Sequence, residues 1–162
     1  YMPAQDFGNA FSTFIGQNYG AKKTDRIQQG IKSAIKISFL FCLIISVGVF
    51  IFARPLMTIF IDSSETEIIN IGVDYLRIEG SFYFGIGILF LLYGFYRATN
   101  FPSMSVILTI ISLGTRVGLA YYLASIPSIG VIGIWWSIPI GWALADIFGI
   151  VYYKRKIKQL HF

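Results

Sequence analysis

Long runs of apolar residues, nearly free of charge, alternate along this chain with short polar breaks. The run "KISFLFCLIISVGVFIFA" closes at Ala53, ahead of Arg54-Pro55. "GSFYFGIGILFLLYGFY" covers 80–96, "PSMSVILTIISLGTRVGLAYYLASI" covers 102–126, and "GVIGIWWSIPIGWALADIFGIVYY" covers 130–153. A bilayer core of about 30 Å needs about 20 mostly apolar residues per helix. Each run therefore predicts a transmembrane helix, over 36–53, 80–96, 102–126 and 130–153. A more polar stretch over 3–21, "PAQDFGNAFSTFIGQNYGA", predicts a fifth. In it Gly8, Ser12, Gly16 and Gly20 recur every four residues. On a helix they form one small-residue stripe, the pattern that lets membrane helices approach closely. The predicted fold is an all-α integral membrane protein with five transmembrane helices.

The polar breaks set the orientation. Lys and Arg concentrate in cytoplasmic loops. Lys22, Lys23 and Arg26 follow the first segment, Lys32 and Lys36 lead into the second, and Arg97 follows the third. Lys154, Arg155, Lys156 and Lys158 follow the fifth. The other two breaks are acidic ("DSSETE") or uncharged ("PSIG"). Alternate loops are basic, which requires five crossings and puts the C-terminus inside. Between Pro55 and Gly80 the pattern predicts a short amphipathic helix, a turn and a lead-in to the third span, with Ser63 or Ser64 capping and Glu67 reaching back. Tyr93, Tyr96, Tyr152 and Tyr153 at inner ends, with Trp135 and Trp136 at an outer end, read as an aromatic belt.

Composition agrees. Of 162 residues, 56% are hydrophobic and only 13% charged, against about 25% charged in soluble domains. Cys42 is the only cysteine and His161 the only histidine, so an intrachain disulfide, a histidine triad and a Cys/His metal cluster are excluded. "GQNYGAKKTDR" is not a phosphate loop, because Gly16 and Gly20 are one residue too close and Lys22 does not directly follow the second glycine. No exposed aromatics interleave with its bases, as a nucleic-acid surface requires. The expectation is no enzyme, no cofactor, no metal site and no nucleic-acid partner; the lipid bilayer is the partner.

Charges inside apolar spans are costly and mark function by default. Four stand out: Asp6, Glu79, Arg116 and Asp146. At about 1.5 Å per residue from the basic ends, they lie at depths of about 22, 27, 20 and 12 Å. Arg116, nearest the midplane, needs a carboxylate or an aqueous cavity, with Asp6 favoured by depth over Glu79 and Asp146. Gly114 and Gly118 flank it and suggest close packing there. A fixed ion pair and an ion or substrate path are both open readings. Gln5, Asn9, Gln17 and Asn18 make the first segment too polar to face lipid. Gln17 and Asn18 are expected to bond between helices near the inner end. Pro139 is expected to kink the last span, and Gly85 and Gly87 to weaken the third.

The motif order resembles a known family. "FGNAFSTFIGQNYGAKKTDRIQQG", "RPLMTIFIDSSETEIINIGVDYLRI", "FYFGIGILFLLYGFYRATNFP" and the closing "GVIGIWWSIPIGWALADIFGIVYY" are similar to the C-terminal lobe of multidrug and toxic compound extrusion (MATE) transporters. The R-A-T-N-x-P turn departs from the family's R-G-x-G-x-x-x-P, with Ala98 and Asn100 for the glycines. The resemblance implies helices 8 to 12 of a twelve-helix, two-lobe protein, so the chain is expected to be a fragment lacking helix 7 and the N-terminal lobe. It implies export of cationic or amphipathic compounds by antiport with Na+ or H+, the ion unresolved. Some members build a cation site from acids on helices 7 and 10; Glu79 lies on the helix matching number 10. A flippase for lipid-linked or polysaccharide substrates in the same superfamily, and a small non-transporting membrane subunit, are the alternatives. The expected location is the plasma or inner membrane.

Overall fold

The computed structural model describes residues 1–157; Lys158 and His161 lie outside the described residues. Among those described, every regular element is helical: α1 (Met2–Gly20), α2 (Thr24–Thr58), α3 (Thr66–Ser81), α4 (Tyr83–Ala98), α5 (Pro102–Ala124) and α6 (Val131–Tyr152), followed by a π-helical turn, Tyr153–Ile157. Three helices, α2, α5 and α6, are long and apolar enough to cross a membrane. The pair α3–α4, bent by 48°, makes a fourth. The count of five is not reached on length and apolarity alone, because α1 is too polar. Gln5, Asp6, Asn9, Thr13 and Gln17 recur along one side of it and are exposed.

The helix ends follow from local chemistry. Pro3 and Pro102 sit in the first turns of α1 and α5, where a missing N–H costs nothing. At the basic end, α1 and α4 close in the same way. Lys22 and Asn100 take positive φ, 54° and 63°. The N–H of Lys23 donates to the Asn18 carbonyl and that of Phe101 to the Tyr96 carbonyl, at 2.9 and 3.0 Å. This is a Schellman closure, which favours glycine and tolerates asparagine. Asn100 thus takes over the glycine's conformational task in the family-like turn.

Of the two prolines inside helices, one accompanies a break and the other does not. α6 runs through Pro139 as one helix. α2 instead breaks at Phe52 (φ −96°, ψ 15°), ahead of Pro55; the proline cannot donate to Ile51 and its ring crowds that carbonyl. The α3–α4 bend follows the Gly80-Ser81 pair, and the Ser81 hydroxyl donates to the Arg77 carbonyl at 2.6 Å, a bond that bends helices. The stretch expected to be only a lead-in to the third span is thus the whole helix α3. No side chain caps α3. Asp62 instead accepts from the backbone N–H and hydroxyl of Ser64, at 2.9 and 2.8 Å.

α4 is the hub, packed against α1, α2, α5 and α6. The predicted small-residue stripe is the contact face: a Cβ on Gly8 would lie 2.8 Å from the Phe90 carbonyl oxygen, and one on Gly94 2.5 Å from the Gly8 oxygen. Gly16 meets Ala98, whereas Gly20 faces open space. Gly85 and Gly87 are packing positions too, against Trp142 and against Cys42 and Ser38. The main core holds Phe11, Ile15, Leu89, Phe95, Tyr96 and Leu108 at the basic half, while Ala53, Ile69 and Val73 form a small cluster at the acidic end. Tyr96 is no belt residue: it is fully buried and its hydroxyl donates to the Gly149 carbonyl at 2.6 Å. Phe39, Leu43, Ile44, Ile110, Leu113 and Val117 lie exposed, the surface a lipid solvent calls for.

Candidate functional site

The last turn of α3, the middle of α5 and the start of α6 assemble the clearest polar group. Tyr75 and Glu79 are one turn apart on α3, so they share a face. Glu79 is half-buried, and its Oε1 is shut from solvent with no hydrogen-bond partner among the described residues. Tyr75 and Glu79 interact through their side chains, and Arg116 of α5 acts electrostatically on both. The Tyr75 ring meets the Trp135 ring edge-on at 5.8 Å, which ties α3 to α6. Arg116 is half-buried. Its stem crosses Gly141, where a Cβ would lie 2.7 Å from Arg116 Cγ. The close approach therefore comes from α6, not from Gly114 and Gly118, which have nothing within 4 Å. Arg116 keeps company with Glu79 rather than Asp6. Since Glu79 Oε1 carries no bond, this is not the saturated fork-to-fork pair of a structural ion bridge.

Asp146 stands apart. It is 7% exposed on α6, and its Oδ1 has no partner among the described residues. Gly85 of α4 opposes it: a Cβ there would lie 3.8 Å from Oδ2. Tyr93 of α4 lies near enough to interact with it electrostatically. Buried carboxyls without a paired cation are costly, so the fold holds two such oxygens at different depths, one on Glu79 and one on Asp146. Asp6 is exposed on the polar side of α1, and so is Gln17. Asn18 is buried, but its amide donates to the Phe14 carbonyl of its own helix at 2.8 Å, so it does not bridge helices as expected. Side-chain geometry decides this, since a helix carbonyl one turn back is the nearest acceptor.

Sequence reasoning missed two partners. Tyr75 was legible from its spacing of four to Glu79. Arg97, read only as a loop anchor, turns back along α4: its Nε donates to the Tyr93 carbonyl at 3.3 Å and its Nη2 to Asn9 Oδ1 at 2.9 Å. The spacing of four to Tyr93 was the available signal; the contact with Asn9, 88 positions away, was not.

Among the described residues the chain is an all-helical bundle with several helices apolar enough to cross a membrane, and it buries two acid oxygens without hydrogen-bond partners. The chain belongs to the MatE family, whose profile matches residues 1–122. It is 25% identical over 162 residues to the probable multidrug resistance protein YoeA of Bacillus subtilis, covering 98% of this chain and 35% of that protein. It is 33% identical to the multidrug export protein MepA of Staphylococcus haemolyticus, covering 96% and 35%. Among solved structures, it resembles a MATE multidrug resistance transporter of the MOP superfamily in its inward-facing conformation, with TM-score 0.84, 24% identity and 93% of this chain covered. The outward-facing conformation of such a transporter aligns with TM-score 0.85 at 26% identity. The chain spans about a third of the length of these relatives.

Proposed function

We propose that the chain is part of the C-terminal lobe of a secondary multidrug efflux transporter that exchanges cationic or amphipathic compounds for Na+ or H+. The observation that carries this reading is the near-equal fit of one helical unit to an inward-facing and an outward-facing transporter. A lobe that keeps its internal packing while the whole protein alternates is what rocking of rigid bundles requires. α1, the bent α3–α4 unit, α2, α5 and α6 then make five crossings, with the basic loops and the C-terminus in the cytoplasm and the lobe in the cell membrane. The polar side of α1, with Asp6 and Gln17, faces the rest of the whole protein and its central cavity. Glu79 with Tyr75, near Arg116, is an ion-path position toward the outer face, and Asp146 a second one in the inner half. Asn18 sits beside the inner end of that path.

The test uses the whole protein in proteoliposomes, loaded with a cationic dye such as ethidium. An imposed Na+ gradient or an imposed proton gradient is expected to drive dye movement, and the effective gradient names the coupling ion. Dye movement under neither gradient, with protein orientation verified, would remove the antiport reading.

A further inference from the structure

At the basic end, α1, α2, α4 and α6 part to leave a groove of about 270 Å³. Its floor is a stripe on α4, Ile88, Leu91, Leu92 and Phe95, the spacing of one helix face. Leu91 and Phe95 are buried, and Ile88 and Leu92 half-buried, so this is a crevice between helices rather than an outer face. Gly149 leaves the room that Leu92 fills, since a Cβ there would lie 2.8 Å from Leu92 Cδ1. The Tyr153 ring closes the basic end against Phe95, edge-on at 5.2 Å. From Ile88 to Ala98, where α4 ends, is about 15 Å at about 1.5 Å per residue, one leaflet of a core of about 30 Å.

One wall is Phe11 of α1. It lies about 160° around that helix from Asn9 and Thr13, away from the polar side proposed to face the rest of the whole protein. The groove therefore opens toward the bilayer. Among the described residues that line it, only Lys154 is charged, at the rim. Lys32 and Lys36 follow the wall residues Ile31 and Ile35 on α2 and are exposed, as is Arg155. Neither Asp25 of α2 nor Asp146 of α6 lines the groove. Asp25 is in the first turn of α2, about 10 Å short of Lys32. An apolar slot one leaflet deep, with lysines from two helices at its mouth, has two ends of opposite chemistry. A hydrocarbon chain fits the slot, and a phosphate fits the mouth.

We infer that this groove holds one acyl chain of an anionic glycerophospholipid of the inner leaflet, with the phosphate set against Lys154 and Lys32. A zwitterionic lipid offers the same chain but carries its own cation beside the phosphate, so the rim selects the anionic head group. The site rests on the lobe's orientation in the membrane and not on what the whole protein exports.

The experiment photolabels the whole protein in phosphatidylcholine vesicles doped with a trace of phosphatidylglycerol bearing a diazirine at mid-chain, or of phosphatidylcholine bearing the same group. Adducts are mapped by peptide mass spectrometry. The exposed Leu43 and Ile44 of α2 report bulk lipid and set the reference. Groove residues in 31–35 and 88–95 are expected to label about tenfold more with phosphatidylglycerol than with phosphatidylcholine, as two basic residues near an anionic head group allow, while the reference labels equally. Lys32→Gln/Lys154→Gln should remove that preference. Ile31→Trp, which fills the slot, should lower groove labelling by both lipids and leave the reference unmoved. Melting temperature checks that each variant is folded; should Ile31→Trp not fold, the lysine pair decides alone. Equal groove labelling by both lipids would make this ordinary bulk contact and overturn the site. An unlabelled groove beside a labelled reference would overturn it too, and assign the groove to another part of the whole protein. A preference that survives the loss of both lysines would overturn the reading of the rim.

Discussion

At the basic end, α4 is gripped by α1 through backbone-to-backbone approach at Gly8 and Gly94 and tied to α6 by a buried tyrosine hydroxyl. At the acidic end, the same bundle opens out. Only Ala53, Ile69 and Val73 are buried together there, α2 is broken at Phe52, and the chain bends at Phe82 between α3 and α4. Glu79 and Arg116 lie on the open side, whereas the buried Asp146 lies in the inner half. The difference teaches that the lobe is a dense platform carrying a softer vestibule. In a membrane no hydrophobic drive holds helices together, so density comes from small residues and buried hydrogen bonds; where those thin out, polar groups and bends are tolerated.

Five substitutions in the whole protein would break or sharpen this contrast. The largest effect is expected at Gly94→Ala, whose Cβ would meet backbone at 2.5 Å. It should destabilise by about 3 kcal/mol, as overpacking in a close core does, while Gly114→Ala, with open space around it, should be neutral or slightly stabilising. Thermal melting of both in detergent decides; equal melting temperatures would dissolve the distinction. Next comes Tyr96→Phe, which removes the bond to Gly149. It should cost about 1 kcal/mol, since the Tyr153 N–H still donates to that carbonyl. Lys22→Gly runs the opposite way. It relieves a left-handed residue in the Schellman turn and should stabilise by about 0.5–1 kcal/mol in the same melt.

The smallest effect lies in the acidic loop. Two bonds from Ser64 hold the Asp62 carboxyl below the ordinary value of 3.8. A depressed carboxylate gives its stabilisation above that value and loses it as pH falls through the lowered one. Hydrogen exchange of the Ser64 amide should therefore speed up with acid beyond the intrinsic trend, and Asp62→Asn should abolish that dependence. Because Asp62 is fully exposed, only the local turn should respond.

Much of this was legible in the sequence, because a bilayer imposes long apolar runs and the small-residue stripe has one helical reading. The Gly8–Gly16 face and the spans over α2, α5 and α6 follow from pattern, and the turn at Asn100 from the family resemblance. Other features did not, for physical reasons. Hydropathy hid α3, since Thr66–Ser81 mixes Glu, Asp and Arg with its apolar face. Tyr96 looks like a belt residue by position, and only its rotation toward α6 buries it. Gly114 and Gly118 flank Arg116 in sequence, yet the contact uses the opposite helix's Gly141. For the site, residue types and depths were readable, but that Arg116 lies near Glu79 rather than Asp6 depends on tertiary placement, as does the contact of Arg97 with Asn9.

The division between platform and vestibule is tested most directly at Glu79. Glu79→Gln in the whole protein is to be compared with wild type for gradient-driven dye movement and for melting temperature in the same preparation. The account predicts transport lower by about tenfold or more, about 1.4 kcal/mol or more in rate, with the melting temperature unchanged. Unchanged transport accompanied by a lower melting temperature would contradict it and make Glu79 a structural partner of Tyr75 and Arg116.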